Sequence, residues 1–186
     1  VKVESEVLRE TQLVVCLLFQ YAGMSFVDFA HLKVRNIKNG ILDYNRQKTG
    51  TPMRLEILDT AELMRKELMG DKRPASGYLF PFLSGTKTGY EAYLEYNAAL
   101  SRFNRNLKAL KKAAGIASDV TSYTIRHSFA MALKEQNVPI EMISELLGHK
   151  SIKTTQIYLR SFSLEKMTEV NSTCFGCVYN YVSKVG

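Results

Sequence analysis

Three residues in the last third of the sequence could do chemistry together: Arg126, His149 and Tyr158. A guanidinium presents a planar fork to two oxygens of one phosphate. An imidazole can move a proton near neutral pH, and a tyrosine hydroxyl can act as a nucleophile and form a covalent intermediate. With 25 Lys and Arg against 18 Asp and Glu, a formal charge of +7, the set points to phosphate handling on an anionic partner, nucleic acid first. All three stand near expected element ends, where side chains from different helices can converge. Tyr123, Arg126, Ala130 and Leu133 recur at helical spacing, which puts Tyr123 and Arg126 on one face. Pro139 opens a second helix and Gly148 closes it just past the C-cap. Ser151 caps a third pattern that carries Tyr158.

The segments YTIRHSFA (123–130), ELLGHKS (145–151) and TTQIY (154–158) follow in that order over 36 residues. They resemble the catalytic core of the tyrosine recombinases, the phage integrase family. That family usually shows His-x-x-Arg-His, then Leu-Gly-His, then Thr-x-x-x-Tyr. An ordinary helical core with a buried Arg would not explain a Gly-His pair nine residues before a Tyr. The resemblance implies a site-specific DNA recombinase of integrase or invertase type, cutting and rejoining strands through a 3′-phosphotyrosyl intermediate. Tyr158 would be the nucleophile, Arg126 the clamp on the non-bridging oxygens, and His149 a phosphate contact or proton-transfer group. Lys48, before Thr49-Gly50, would be the general acid. No metal and no small-molecule cofactor are implied. Double-stranded DNA is the implied partner, with self-association into a synaptic tetramer in the bacterial cytosol or nucleoid.

The sequence departs from the family in two places. Tyr123 stands where the first-box His is expected; a phenol can donate a hydrogen bond but is a poor base near neutral pH. His127, next to Arg126, is a possible substitute, with a structural role beside Arg126 as the plainer reading. The family's first catalytic Arg is also missing. Asp28 matches the acidic residue that follows it, and the vacant position aligns with Ser25 or with Ala22. Either the site works with one Arg fewer, or Ala22 replaces a native Arg and silences the chemistry. Two other readings stay open: a type IB topoisomerase-like enzyme, and a catalytically impaired DNA-binding module.

The elements that must position these residues read as α+β, mostly α-helical. A helix runs from about Ser5 to Tyr21, with Val7, Leu8, Leu13, Val14, Leu17 and Leu18 as its apolar face. Ser25 caps a short helix with Phe26, Phe29 and Leu32 inward, and His31 reads as a surface residue. Residues 34–58 switch to short alternating runs around an Asn39-Gly40 turn and a Gln47–Gly50 hairpin tip. They predict a small three-stranded antiparallel sheet near the N-terminal third. Asp59 and Glu62 form a capping-box pattern that opens a helix ending at Gly70. A loop with a Leu79-Phe80 anchor precedes an amphipathic helix over 90–114, with Tyr93, Tyr96, Leu100, Phe103, Leu107 and Leu110 inward. Its other face carries Arg102, Arg105, Lys108, Lys111 and Lys112. Arg102 and Arg105, with Lys72, Arg73 and Lys87 from the loop, are candidates for DNA phosphate contact, although such charges often face only solvent.

Cys16 reads as a small core residue. Cys174 and Cys177 form a lone pair without the further ligands that zinc needs. Leu13 to Phe19, the longest apolar run, is too short to span a membrane, and no Gly-rich phosphate loop or carboxylate cluster suggests a metal nuclease. A short helix is expected over 163–170. The tail, about 171–186, carries Phe175, Val178, Tyr179, Tyr181 and Val182 and is a candidate contact with a neighbouring protomer. Residues 1–186 are read as a single catalytic domain, with the family's N-terminal DNA core-binding domain expected to be absent from this chain.

Overall fold

The computed structural model describes residues 5–72, 77–159 and 167–168, with Tyr158 described as backbone alone. The expected contacts of Arg73, most of the expected 163–170 helix, Cys174, Cys177 and the aromatic tail lie outside the described residues. The elements are α1 (Glu6–Gln20), α2 (Phe26–His31), a 3₁₀ turn (Val34–Asn36), β1 (Ile37–Lys38), β2 (Ile41–Asn45), β3 (Pro52–Glu56), α3 (Asp59–Met69), α4 (Gly89–Ala113), α5 (Ser122–Glu135), α6 (Ile140–Leu146) and α7 (Ile152–Tyr158).

The sheet is antiparallel in the order β1-β2-β3. Asn39 and Gly40, at φ 52° and 74°, make the left-handed turn that joins β1 to β2, as Asn-Gly favours. Leu42 pairs with Leu55, and Tyr44 with Met53. Alternation buries Leu42 and Tyr44 while Asp43 and Asn45 face out. Arg46, next in the same period-two row, is buried as well.

The sheet, α1, α2, α3 and α4 enclose the main core. Phe26 stacks on Phe103 with centroids 4.7 Å apart, and Phe29 on Phe80 at 4.2 Å. Burying each such ring favours folding by about 1.5–3 kcal/mol. A second, smaller cluster of Ala130, Ile143 and Leu147 holds α5 and α6 together, with Leu159 packed against it. Phe19 of α1 meets Phe129 of α5 edge-on at 5.3 Å, where the two clusters adjoin.

Two local expectations change. Asp59 and Glu62 do not form the reciprocal cap: α3 starts one residue earlier, Leu58 takes the N-cap position without a side-chain bond, and Glu62 instead pairs with Arg65 at 2.6 Å. Tyr93 is 59% exposed rather than inward. The first turns of α4 run past the core, where Tyr90 and Tyr93 stack on each other at 6.0 Å; Ala99, Phe103, Leu107 and Leu110 carry the buried face.

Candidate active site

Arg126 leaves the first half of α5 toward the seam between the two cores and is only 4% exposed. Thr121 caps α5 by accepting from the backbone N–H of Thr124. The guanidinium donates through Nη1 to the carbonyl of Gly23 at 2.9 Å and through Nη2 to the carbonyl of Leu147. Its Nη2 also lies 3.2 Å from His149 Nε2. A long, costly cation is thereby held rigid by carbonyls from two distant segments, which orders it in advance of any ligand.

His149 is placed by the turn that ends α6. Gly148, at φ 61°, takes the left-handed position after the C-cap. Gly148 N–H donates to Glu145 O at 2.8 Å and His149 N–H to Ser144 O at 3.0 Å, the paired bonds of a Schellman motif. A Cβ on Gly148 would stand 2.7 Å from Arg46 Cδ, so glycine is required here by close approach as well as by φ. A guanidinium can only donate, so His149 Nε2 is the acceptor toward Arg126 and the proton sits on Nδ1. That Nδ1–H then donates to Thr155 Oγ1, 2.9 Å away. Burial, then the charges of Arg126 and Arg46, lower the His149 pKa to about 4, so the ring is neutral at pH 7.

Thr155 is fully buried in α7, and Ser151 caps that helix by accepting from Lys153 N–H. Tyr158 stands one turn beyond Thr155 in the same helix. The bond between Thr155 and His149 therefore fastens the Tyr158-bearing helix to the turn that carries the imidazole.

The structure adds a residue that sequence reasoning passed over. Arg46, 8% exposed, donates through Nη1 to Gly148 O at 2.9 Å and lies 3.5 Å through Nε from Asp28 Oδ2. Asp28, 2% exposed, also accepts from Ser25 Oγ at 2.6 Å and from the backbone N–H of Gln47 at 2.7 Å. Burial and Asp28 push the Tyr44 phenol pKa upward, opposed by Arg126 and Arg46; one buried ring thus feels both guanidiniums. The available signal was alternation: Leu42, Tyr44 and Arg46 fall on one side of β2 and its extension.

The other sequence candidates are spread more widely. Lys48 is exposed at the β2–β3 hairpin tip, two residues past Arg46 and next to the Gln47 N–H that Asp28 holds. Tyr123, in the first turn of α5, is 60% exposed, one turn from the buried Arg126. His127 is half-buried. His31 is half-buried too, with Nδ1 2.8 Å from Val27 O. Ser25 joins the Asp28 network, whereas Ala22 is buried at φ 55°. Arg102 and Arg105 are exposed on α4, and Lys87 pairs with Glu91 at 3.4 Å.

A mainly helical α+β domain with a guanidinium and an imidazole locked at the seam before a tyrosine-bearing helix is the class that fold and site define. The chain matches the phage integrase family over residues 3–165, and it belongs to that family. Tyrosine recombinase XerD of Lacticaseibacillus casei is 52% identical over 54 residues, 29% of this chain and 18% of that protein. Tyrosine recombinase XerC of Rickettsia typhi is 41% identical over 75 residues, 40% of this chain and 24% of that protein. The chain thus matches well under a third of the length of these relatives. Among solved structures, the XerA recombinase aligns with a TM-score of 0.63 at 21% identity, over 92% of this chain and 64% of that one. The XerH site-specific recombinase, bound to palindromic difH substrate in a post-cleavage complex, aligns at 0.65 and 20% identity, over 92% and 47%. At these identities the likeness is one of fold.

Proposed function

We propose that this chain is the catalytic domain of a site-specific DNA recombinase that cleaves and rejoins strands through a 3′-phosphotyrosyl bond. The observation that carries this reading is the chain of bonds Arg126–His149–Thr155, which fixes a guanidinium and an imidazole to the helix of Tyr158.

The chemistry follows from the residue types. A phosphodiester repels a nucleophile with its two non-bridging oxygens and has a poor leaving group, so fixed positive charge must meet the developing charge. Arg126 is held in advance for that purpose. Tyr158 Oη attacks phosphorus, the P–O5′ bond breaks, and a 3′-phosphotyrosyl link forms. The phenolic proton must leave; an unperturbed Tyr has a pKa of about 10. His149 is neutral, with a lone pair on Nε2, which suits it to take that proton once DNA draws Arg126 onto phosphate oxygens. Lys48 gives a proton to the departing 5′ oxygen. Tyr123, exposed one turn from Arg126, supplies a hydrogen bond to the phosphate. In rejoining, a 5′ hydroxyl attacks the phosphotyrosine, the P–Oη bond breaks, and Tyr158 regains its proton.

Double-stranded DNA is the partner on this reading, approached by a chain of net charge +7, and strand exchange takes place in a synaptic tetramer in the cytosol. The relatives it matches are recombinases, which favours strand exchange over simple relaxation. The test is incubation with nicked duplexes drawn from the DNA flanking its own coding sequence, where the nick lets the cleaved 5′ end diffuse away. A protein–DNA band that survives denaturation supports the reading. Tight binding with no such band, at any nick position, rejects it in favour of a binding module.

A further inference from the structure

We propose that Asn104 is a positioning residue for Tyr123, acting through the backbone of Ser122; the proposal rests on the strand-cleavage reading above. Tyr123 is the member of the site whose place is least explained by packing. Arg126 is fixed by the carbonyls of Gly23 and Leu147, and His149 by Thr155. Tyr123 is 60% exposed, so the course of the first turn of α5 sets where its hydroxyl lies.

Several ties of that turn are local or weak. The segment that leads into it from α4, residues 114–121, is mostly exposed. Thr121 and Thr124 cap the turn reciprocally, with Thr124 N–H 3.4 Å from Thr121 Oγ1 and Thr121 N–H 3.1 Å from Thr124 Oγ1. Those bonds shape the turn from within and do not tie it to another element. Lys111 reaches Asp119 at 3.2 Å, but Asp119 is fully exposed, and such pairs hold weakly. Val120 packs partly against the main core, an apolar contact that fixes no hydrogen-bonding direction.

Asn104 supplies the directional tie. Its Oδ1 accepts from Ser122 N–H at 2.9 Å, in a partly buried bond between residues 18 apart in the chain. Ser122 opens α5, and its N–H is one of the N-terminal donors that no intrahelical carbonyl can take. Asn104 itself lies in the middle of α4, between the buried Phe103 and Leu107. The acceptor is therefore held by the main core, and Tyr123, the residue after Ser122, is placed relative to it. The same helix exposes Arg102 and Arg105, the candidates for phosphate contact. Asn104 thus gives Tyr123 a fixed offset from DNA that they hold.

The test measures adduct formation on a nicked duplex at saturating DNA, with DNA affinity and urea stability alongside, for the unaltered chain, Asn104→Ala and Asn104→Asp. Ala favours a helix interior more than Asn does, and Asp keeps an acceptor for Ser122 N–H. At saturation N104A should form the adduct about tenfold more slowly, the scale of one lost hydrogen bond, with DNA affinity little changed. N104D should recover most of that rate, even where its charge weakens DNA binding. In a Tyr123→Phe background N104A should cost much less, because the group it positions is gone. A folded N104A that keeps the saturated rate and loses only stability overturns the proposal and leaves strand cleavage standing. So does an N104D as slow as N104A, or an equal loss in the Y123F background. If the unaltered chain forms no adduct, the strand-cleavage reading falls and takes the proposal with it. Should N104A fail to fold, amide hydrogen exchange of the unaltered chain decides. Ser122 N–H should then exchange at least about tenfold more slowly than an open chain, and exchange at the open-chain rate overturns the proposal.

Discussion

Replacing Gly148 by Ala strikes the turn on which the site depends. The residue sits at φ 61°, and its new Cβ would lie 2.7 Å from Arg46 Cδ, with the Met53 sulfur also in the way. The left-handed backbone costs an L residue about 1–2 kcal/mol. Forcing Arg46 and Met53 aside adds about 1–3 kcal/mol, as for other overpacked sites. We therefore expect a total loss of about 2–5 kcal/mol. Gly50→Ala is the internal control: φ is 67° there, but no atom lies within 4 Å of the added carbon, so only the backbone cost of about 1–2 kcal/mol applies. Urea unfolding of both variants, with unchanged slope, reads the difference directly. If G148A and G50A lose the same stability, Arg46 does not press against this turn, and the packing described for the cleft is wrong.

Two further outcomes follow from the same cluster. The His149 pKa, lowered to about 4, means that the unfolded chain takes up this proton near pH 6.5 and the folded chain only near pH 4. The contribution to stability is therefore complete above pH 6.5 and lost as pH falls toward 4. The full gap corresponds to roughly 3 kcal/mol, reduced by solvent screening of this half-buried ring to about 1 kcal/mol. His149→Gln should flatten the stability profile by that amount between pH 7 and 4.5 in urea titrations; an unchanged profile contradicts the neutral, enclosed imidazole. Thr155→Val strands the His149 Nδ1–H and should cost about 1–3 kcal/mol. Strand cleavage should drop further than stability explains, and cleavage at the original rate would show that Thr155 does not hold the ring.

Much of this geometry was legible because its causes are local. Ser25, Gly148 and Ser151 act within a turn of their own positions, and the Asn39-Gly40 pair fixes its hairpin without help from the rest of the chain. The Arg, His and Tyr boxes were visible as types at fixed spacing. Arg46 was not, because its partners are far away in sequence: its bond to Gly148 O spans 102 residues. A charged residue beside a hairpin tip also reads first as solvated. Burial of Leu42 and Tyr44 in the same row outweighed that expectation. Asp59 and Glu62 failed as a capping pair for the opposite reason, since a neighbouring Arg65 offered Glu62 a better partner. Tyr93 kept the spacing of an inward residue but lies beyond the part of α4 that the core reaches.

The central claim is that a phenol in α7 holds cut DNA beside a fixed guanidinium and imidazole. The most direct measurement is peptide mapping by mass spectrometry of the adduct formed on a nicked duplex. The account predicts a nucleotide linked to the peptide that contains Tyr158, and no adduct with Tyr158→Phe of unchanged stability. A DNA link on any other residue, or an adduct that persists in Y158F, contradicts it.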